Sequence, residues 1–351
     1  MMPVEWPIAA LAADHPVEPA RAAGRDRLPI VRRDLFLDDR ARLTEQERAL
    51  MSAMLAALVD QVADEIRLGL APDLLAHAEP DRDRVVPRLW HSGALDRPAL
   101  ILLLLRRADE QLIAAACRDS RGANDGGTVE RLVGDSDGAI ASAAMALAVA
   151  RGRRRDRFGR LGLEYDDVPN DEAHILAHLV AAAMRNGISG PSVAIDEALA
   201  DAAERLVDRH DDQRRVEVRA LALAEALVAA RGADDDLIAA LAAEGDAALL
   251  AALCAVRAGI APETAWMLLV NDGARDAMLL ARLAGLARPA AAALVAAFAL
   301  PLLWGEPAEA IACFDRPAAP DIDAARRWWR LPPAYRDALK DQGGSNGQPL
   351  D

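Results

Sequence analysis

Aromatic residues are scarce: two Tyr, four Phe and six Trp make up 3% of the 351 residues. Strands lean on aromatic and β-branched side chains, so a large sheet is poorly provided for. Lys340 is the single lysine among 41 basic residues, a skew that fits GC-rich coding better than phosphate recognition. Cys117, Cys254 and Cys313 are too few and too far apart for a disulfide framework or a thiolate metal site, which fits a reducing cytoplasm. The N-terminus lacks a basic region before an apolar run, and its apolar residues are interrupted at Asp14, His15 and Pro16, unlike a secretory signal. The longest apolar stretch, Pro289 to Trp304, is broken by Pro301 and falls short of the ~18 residues of a membrane span, so it reads as a buried helix.

What is abundant is Ala and Leu. Hydrophobic residues are 53% of the chain and charged ones 27%, enough for a large core and incompatible with disorder over most of the length. Ala and Leu are the best helix formers, and no segment alternates with period two, so the expected class is all-α without a β-sheet. A net charge of −14 disfavours nucleic acid and anionic lipid as partners. The first strong helix signal is Leu43-Thr44-Glu45-Gln46-Glu47, a capping box, followed by Leu50, Met54, Leu58, Val62 and Leu55, Val59, Ile66 along one face. Helices are further expected over 81–91, 97–106, 108–117 and 139–151, with a loop at 121–127.

Shifting the chain by 137 positions aligns Leu100-Ile101 with Leu237-Ile238, Asp109 with Asp246 and Cys117 with Cys254, without a gap. This predicts that Leu95–Cys117 and Ala233–Cys254 are equivalent helix pairs. A shorter echo joins Ala258-Gly259-Ile260-Ala261-Pro262 to Ala284-Gly285-Leu286-Ala287-Arg288-Pro289, each a glycine stop and a proline restart. Such pairs suggest a helical-hairpin array, either a HEAT-like α-α superhelix or stacked helical bundles. The organisation expected is a loosely ordered segment 1–27, an N-terminal helical half 28–150, an Arg-rich linker or boundary 151–170, a C-terminal helical-repeat half 171–320, a helical cap 321–341 and a disordered tail 342–351.

Leu35-Phe36-Leu37, Arg42 to Leu50, Ala258 to Thr264 and Leu268-Leu269-Val270-Asn271-Asp272 together resemble domain-of-unknown-function family 2336 of alphaproteobacteria, over roughly Leu35 to Leu303. The resemblance implies a bacterial, cytoplasmic, all-helical protein; it brings no activity and no catalytic residues. The segment from Pro317 to Lys340 is not part of it.

No constellation of catalytic residues is visible: there is neither a phosphate-cradling Gly-Lys-Ser/Thr loop nor a Gly-x-Ser-x-Gly elbow, and no cysteine has a neighbouring His to serve as a base. Asp135 to Gly138 and Asn124 to Gly127 read as turns, not as calcium loops. His174 and His178 lie four apart on one helix face, the spacing of a divalent metal pair, but Ile175 stands where a metalloprotease has its Glu and no third ligand is visible. The expectation is therefore no metal and no cofactor; the alternative is a metal-dependent enzyme drawing carboxylates from Asp171, Glu172 or a distant helix. The run Arg151 to Arg160, with Arg153, Arg154 and Arg155 at its centre, suits an interdomain linker or, alternatively, docks phosphate or nucleic acid. In Arg326-Arg327-Trp328-Trp329-Arg330 the adjacent tryptophans point about 100° apart, so one packs inward and the other is offered to an interface. The reading as a whole is a non-enzymatic protein-interaction scaffold or regulatory adaptor with an unidentified protein partner, a homodimer being one form of that partnership.

Overall fold

The computed structural model describes residues 43–72, 84–121, 127–154, 162–188, 193–231, 235–270, 273–332, 334–336 and 338–339. The expected loose segment 1–27, the loop residues 122–126, Arg155 and the tail 342–351 lie outside them. The chain divides into two compact units, Met1–Gln46 and Glu47–Asp351; only 43–46 of the first are described, and the fold is that of the second.

The described residues form helices joined by turns, with no strand among them. In order these are α1 (Glu45–Leu68), α2 (Val85–Ser92), α3 (Pro98–Arg121), α4 (Thr128–Leu132), α5 (Gly138–Arg153), α6 (Asn170–Arg185), α7 (Val193–Arg209), α8 (Val216–Arg231), α9 (Asp235–Glu244), α10 (Ala247–Ala258), α11 (Pro262–Val270), α12 (Ala274–Leu283), α13 (Arg288–Phe298), α14 (Pro307–Asp315) and α15 (Ala319–Trp329). The all-α expectation holds because Ala and Leu supply helix propensity and core volume together. No single described helix is long and apolar enough to cross a membrane. In the apolar stretch after Arg288, Ala290, Ala291, Leu294, Val295 and Phe298 are buried.

Buried side chains group into two clusters that interleave along the chain. One draws on α1, α2 and the first half of α3 (Leu100, Leu103, Leu104, Ala108) and then on residues 163–206. The other begins with the second half of α3 (Ile113, Cys117), takes in α4 and α5, and resumes at Val216 to run to Ile322. Helix α3 is thus the beam common to both, and each cluster contains residues from either side of 151–170.

The helices expected over 97–106 and 108–117 are one helix. Nothing between Arg106 and Ala108 breaks a helix, and the charged centre that resembles a turn faces an internal ionic network instead. The pairing at a shift of 137 is corrected in consequence: residues 98–121 are continuous, whereas 235–258 are two helices parted at Gly245, where the aligned residue in α3 is Ala108. Gly245 has φ +71° and lies against α3, so the two stretches are packing partners and not equivalent helix pairs.

The glycine echo is real as local structure. Gly259 and Gly285 sit at φ +65° and +67°, and in each the next residue closes the helix by a backbone bond back across the turn: Ile260 N to Ala255 O at 3.1 Å and Leu286 N to Ala281 O at 2.9 Å. Gly245 makes the same closure through Asp246 N to Leu241 O at 2.9 Å. These are Schellman turns, whose αL position suits glycine because a Cβ is strained there. A fourth turn of this kind, after α13, joins Trp304 N to Ala299 O at 2.8 Å, but Leu303 occupies the αL position at φ 54°.

Candidate functional site

The arginine run expected as a linker turns partly inward. Arg154 is buried and grips Asp167 with two of its nitrogens, Nε to Oδ2 at 2.9 Å and Nη2 to Oδ1 at 2.6 Å. Arg151 reaches Asp246, at the start of α10, at 2.6 Å. Arg153 is exposed. Beside Arg154, the fully buried Arg107 of α3 bonds Glu110 at 2.7 Å and also bonds Glu217, in the first turn of α8. Arg106 adds contacts to Glu110 at 3.3 Å and Glu217 at 3.4 Å, with its guanidinium 4.4 Å from the Trp266 ring centre.

Burial alone would push the Glu110 and Glu217 carboxyls up, but facing Arg107, Arg106 and Arg154 they are held below the ordinary carboxylate range. These groups neutralise one another where α3 passes between the two cores. Such a network suits holding the helices in register rather than binding phosphate, since its guanidinium groups already face carboxylates.

Asp109, next to this network in sequence, behaves oppositely: burial, then the Glu47 and Glu110 charges, push its carboxyl up to about 7. A carboxyl raised in the folded state holds its proton more tightly there than in the unfolded chain. Its contribution to stability is full below about pH 4 and is lost as the pH rises toward 7. Asp109→Asn is expected to raise stability by about 1–3 kcal/mol at pH 8 and to give no gain at pH 4, measured by urea unfolding at both values.

The histidine pair lies on α6. The His174 and His178 rings are 4.8 Å apart between centroids, and His178 Nε2 is 3.1 Å from Glu204 Oε1 on the neighbouring α7. The ligand atoms of His174, His178 and Glu204 all lie within 4.8 Å of one another. This supplies the third group that the sequence leaves missing. Of the carboxylates considered beside the pair, Glu172 is instead paired with Arg97 and buried, while Asp171 is not in the three-residue group. Glu204 is 26 positions beyond His178 on another helix, and only the helix pairing brings it close. The available hint was the ridge Glu197, Asp201, Glu204, Asp208, spaced by three and four on α7.

At the C-terminal end, α15 lies on α12 with Ile322 buried and Trp329 packed against the second core, while Trp328 is exposed. Three arginines there reach into the fold. Arg326 donates to Leu283 O at 3.4 Å and Arg330 to Ala258 O at 3.3 Å, both carbonyls at helix C-termini, where a cation is favourable. Arg336 donates to Thr264 Oγ1 at 2.9 Å and stacks 4.4 Å over Trp329. Arg327 and Trp328 are exposed, and so is Arg330 apart from its bond to Ala258.

Residues 123–311, more than half of the chain, match a family described as an uncharacterised protein conserved in bacteria, DUF2336. The chain belongs to this family. The DUF2336 match begins after Leu35 to Leu50, so those residues of the resemblance lie outside it; the Ala258 to Asp272 motifs lie within. It covers α4 to α13, including the Arg154–Asp167 pair, the histidine pair and the turn at Leu303. No curated protein and no solved structure matches the chain.

Proposed function

We propose that this DUF2336 protein is a non-enzymatic protein-interaction adaptor of the bacterial cytoplasm, and that the turn after α13 is its docking point. The observation that carries this reading is Leu303. Three other helix ends with the same backbone closure place glycine at the αL position, and this one places a leucine that is 61% exposed, beside Leu300 at 81%. An L-residue in αL costs about 1–2 kcal/mol, and a leucine that is mostly exposed recovers little of it by burial. Strain retained without an internal gain points to a role outside the fold. The turn is held on a firm base, because Trp304 is buried and meets Phe298 edge to face at 6.2 Å. A protein partner with an apolar pocket is the fitting occupant: leucines presented on a fixed turn bind without further ordering of the backbone.

Replacing Leu303 by Gly separates fold from function. The variant should be equally stable or up to about 1 kcal/mol more stable, because strain is released. In the native host, a photoreactive side chain at position 300 should cross-link a specific protein in the wild-type background, and that adduct should fall at least tenfold with Gly at 303. A stability gain with unchanged cross-linking removes the docking role from this turn.

A further inference from the structure

We infer that His174, His178 and Glu204 form a binding site for a borderline divalent cation of the zinc type, clipping α6 to α7. Two imidazoles and one carboxylate are a donor set that suits zinc, nickel or copper over magnesium or calcium. Helical spacing already places both imidazoles on one face, and Glu204 approaches from the neighbouring helix, 3.1 Å from His178. A tetrahedral zinc ion with bonds of about 2.0–2.1 Å needs its ligand atoms about 3.4 Å apart. The present spread of up to 4.8 Å closes by small rotations of these side chains, because His174 and Glu204 are exposed.

The surroundings favour a cation. Glu197, Asp201 and Asp208 are exposed on the same helix as Glu204, so the local field attracts positive charge, and Glu172 is occupied by Arg97 and does not compete as a ligand. Three protein ligands leave a fourth position to water, so the ion exchanges with solvent. The ion would bridge His178 and Glu204, turning a surface contact into a cross-link between two helices. This site is independent of the turn at Leu303.

The test is zinc titration of the untagged full chain, read by competition with a chromogenic chelator and by thermal unfolding. Wild type should bind one zinc equivalent that is lost in His178→Ala, and Glu204→Gln should weaken it by at least roughly tenfold. Excess zinc should raise the thermal midpoint of wild type and leave that of His178→Ala unmoved. His91→Ala, a substitution of an exposed histidine on α2, should bind like wild type. All of these side chains are at least partly exposed, so the variants should match wild type in helicity and in midpoint without zinc. Failure of wild type to bind, or zinc binding by His178→Ala and Glu204→Gln equal to that of wild type, overturns the assignment.

Discussion

Arg107→Met is expected to destabilise the protein by about 3–5 kcal/mol at pH 7, read as a lower midpoint in urea unfolding with the slope unchanged. Arg107 is fully buried and faces Glu110 and Glu217, so the substitution leaves two largely buried carboxylates without their nearest cation. Arg106 and Arg154 remain, but Arg154 stands 3.6 Å and 3.7 Å from those carboxylates and is committed to Asp167. The loss therefore reflects uncompensated charge more than a missing contact. Replacing Glu110 and Glu217 by Gln in the same chain should recover much of it.

The pH dependence distinguishes this from a packing defect. In wild type both carboxyls are depressed by the arginines against the upward pull of burial. Their contribution is full above the ordinary carboxylate range and is lost as the pH falls through the folded-state values. Without Arg107 burial gains the upper hand, protonation relieves the variant, and the deficit against wild type should narrow steadily between pH 7 and pH 3. A deficit independent of pH would assign the effect to lost packing.

What the sequence made legible follows from which forces act locally. The α1 face is spelled out by Leu50, Met54, Leu58 and Ile66, because a helix laid on a core repeats its apolar side chains every three or four positions. The helix ends at Gly259 and Gly285 were readable because αL geometry almost demands glycine. Leu303 was invisible for the same reason, as nothing in a leucine announces a left-handed backbone. The ionic network could not be read from spacing, since Arg107, Arg154, Asp167 and Glu217 meet only after α3, α5 and α8 have packed. A run such as Arg151 to Arg160 looks uniformly solvated until the carboxylates opposite it are known. Glu204 escaped notice likewise: its relation to His178 is set by the pairing of α6 with α7.

Gly245→Ala offers the sharpest check on how α9 and α10 seat on α3, with an expected loss of about 2–5 kcal/mol. Part of the cost is conformational, since φ is +71° and an L side chain there is strained by about 1–2 kcal/mol. The larger part is steric. A Cβ on Gly245 would lie 2.9 Å from Ala114 Cα, 3.0 Å from Ile113 O and 3.0 Å from Cys117 Cβ, and the first two belong to the backbone of α3 and cannot swing aside. The junction would have to lift away from the helix that joins both cores, loosening Ile113 and Cys117, with which the second core begins. Gly285→Ala supplies the control: its φ is +67° and a Cβ there meets nothing within 4 Å, so it should cost only the conformational share, about 1–2 kcal/mol. The difference between the two variants, measured under one set of conditions, isolates the close approach of Gly245 to α3. Equal losses would mean that the two helices and α3 are held less tightly than their geometry requires.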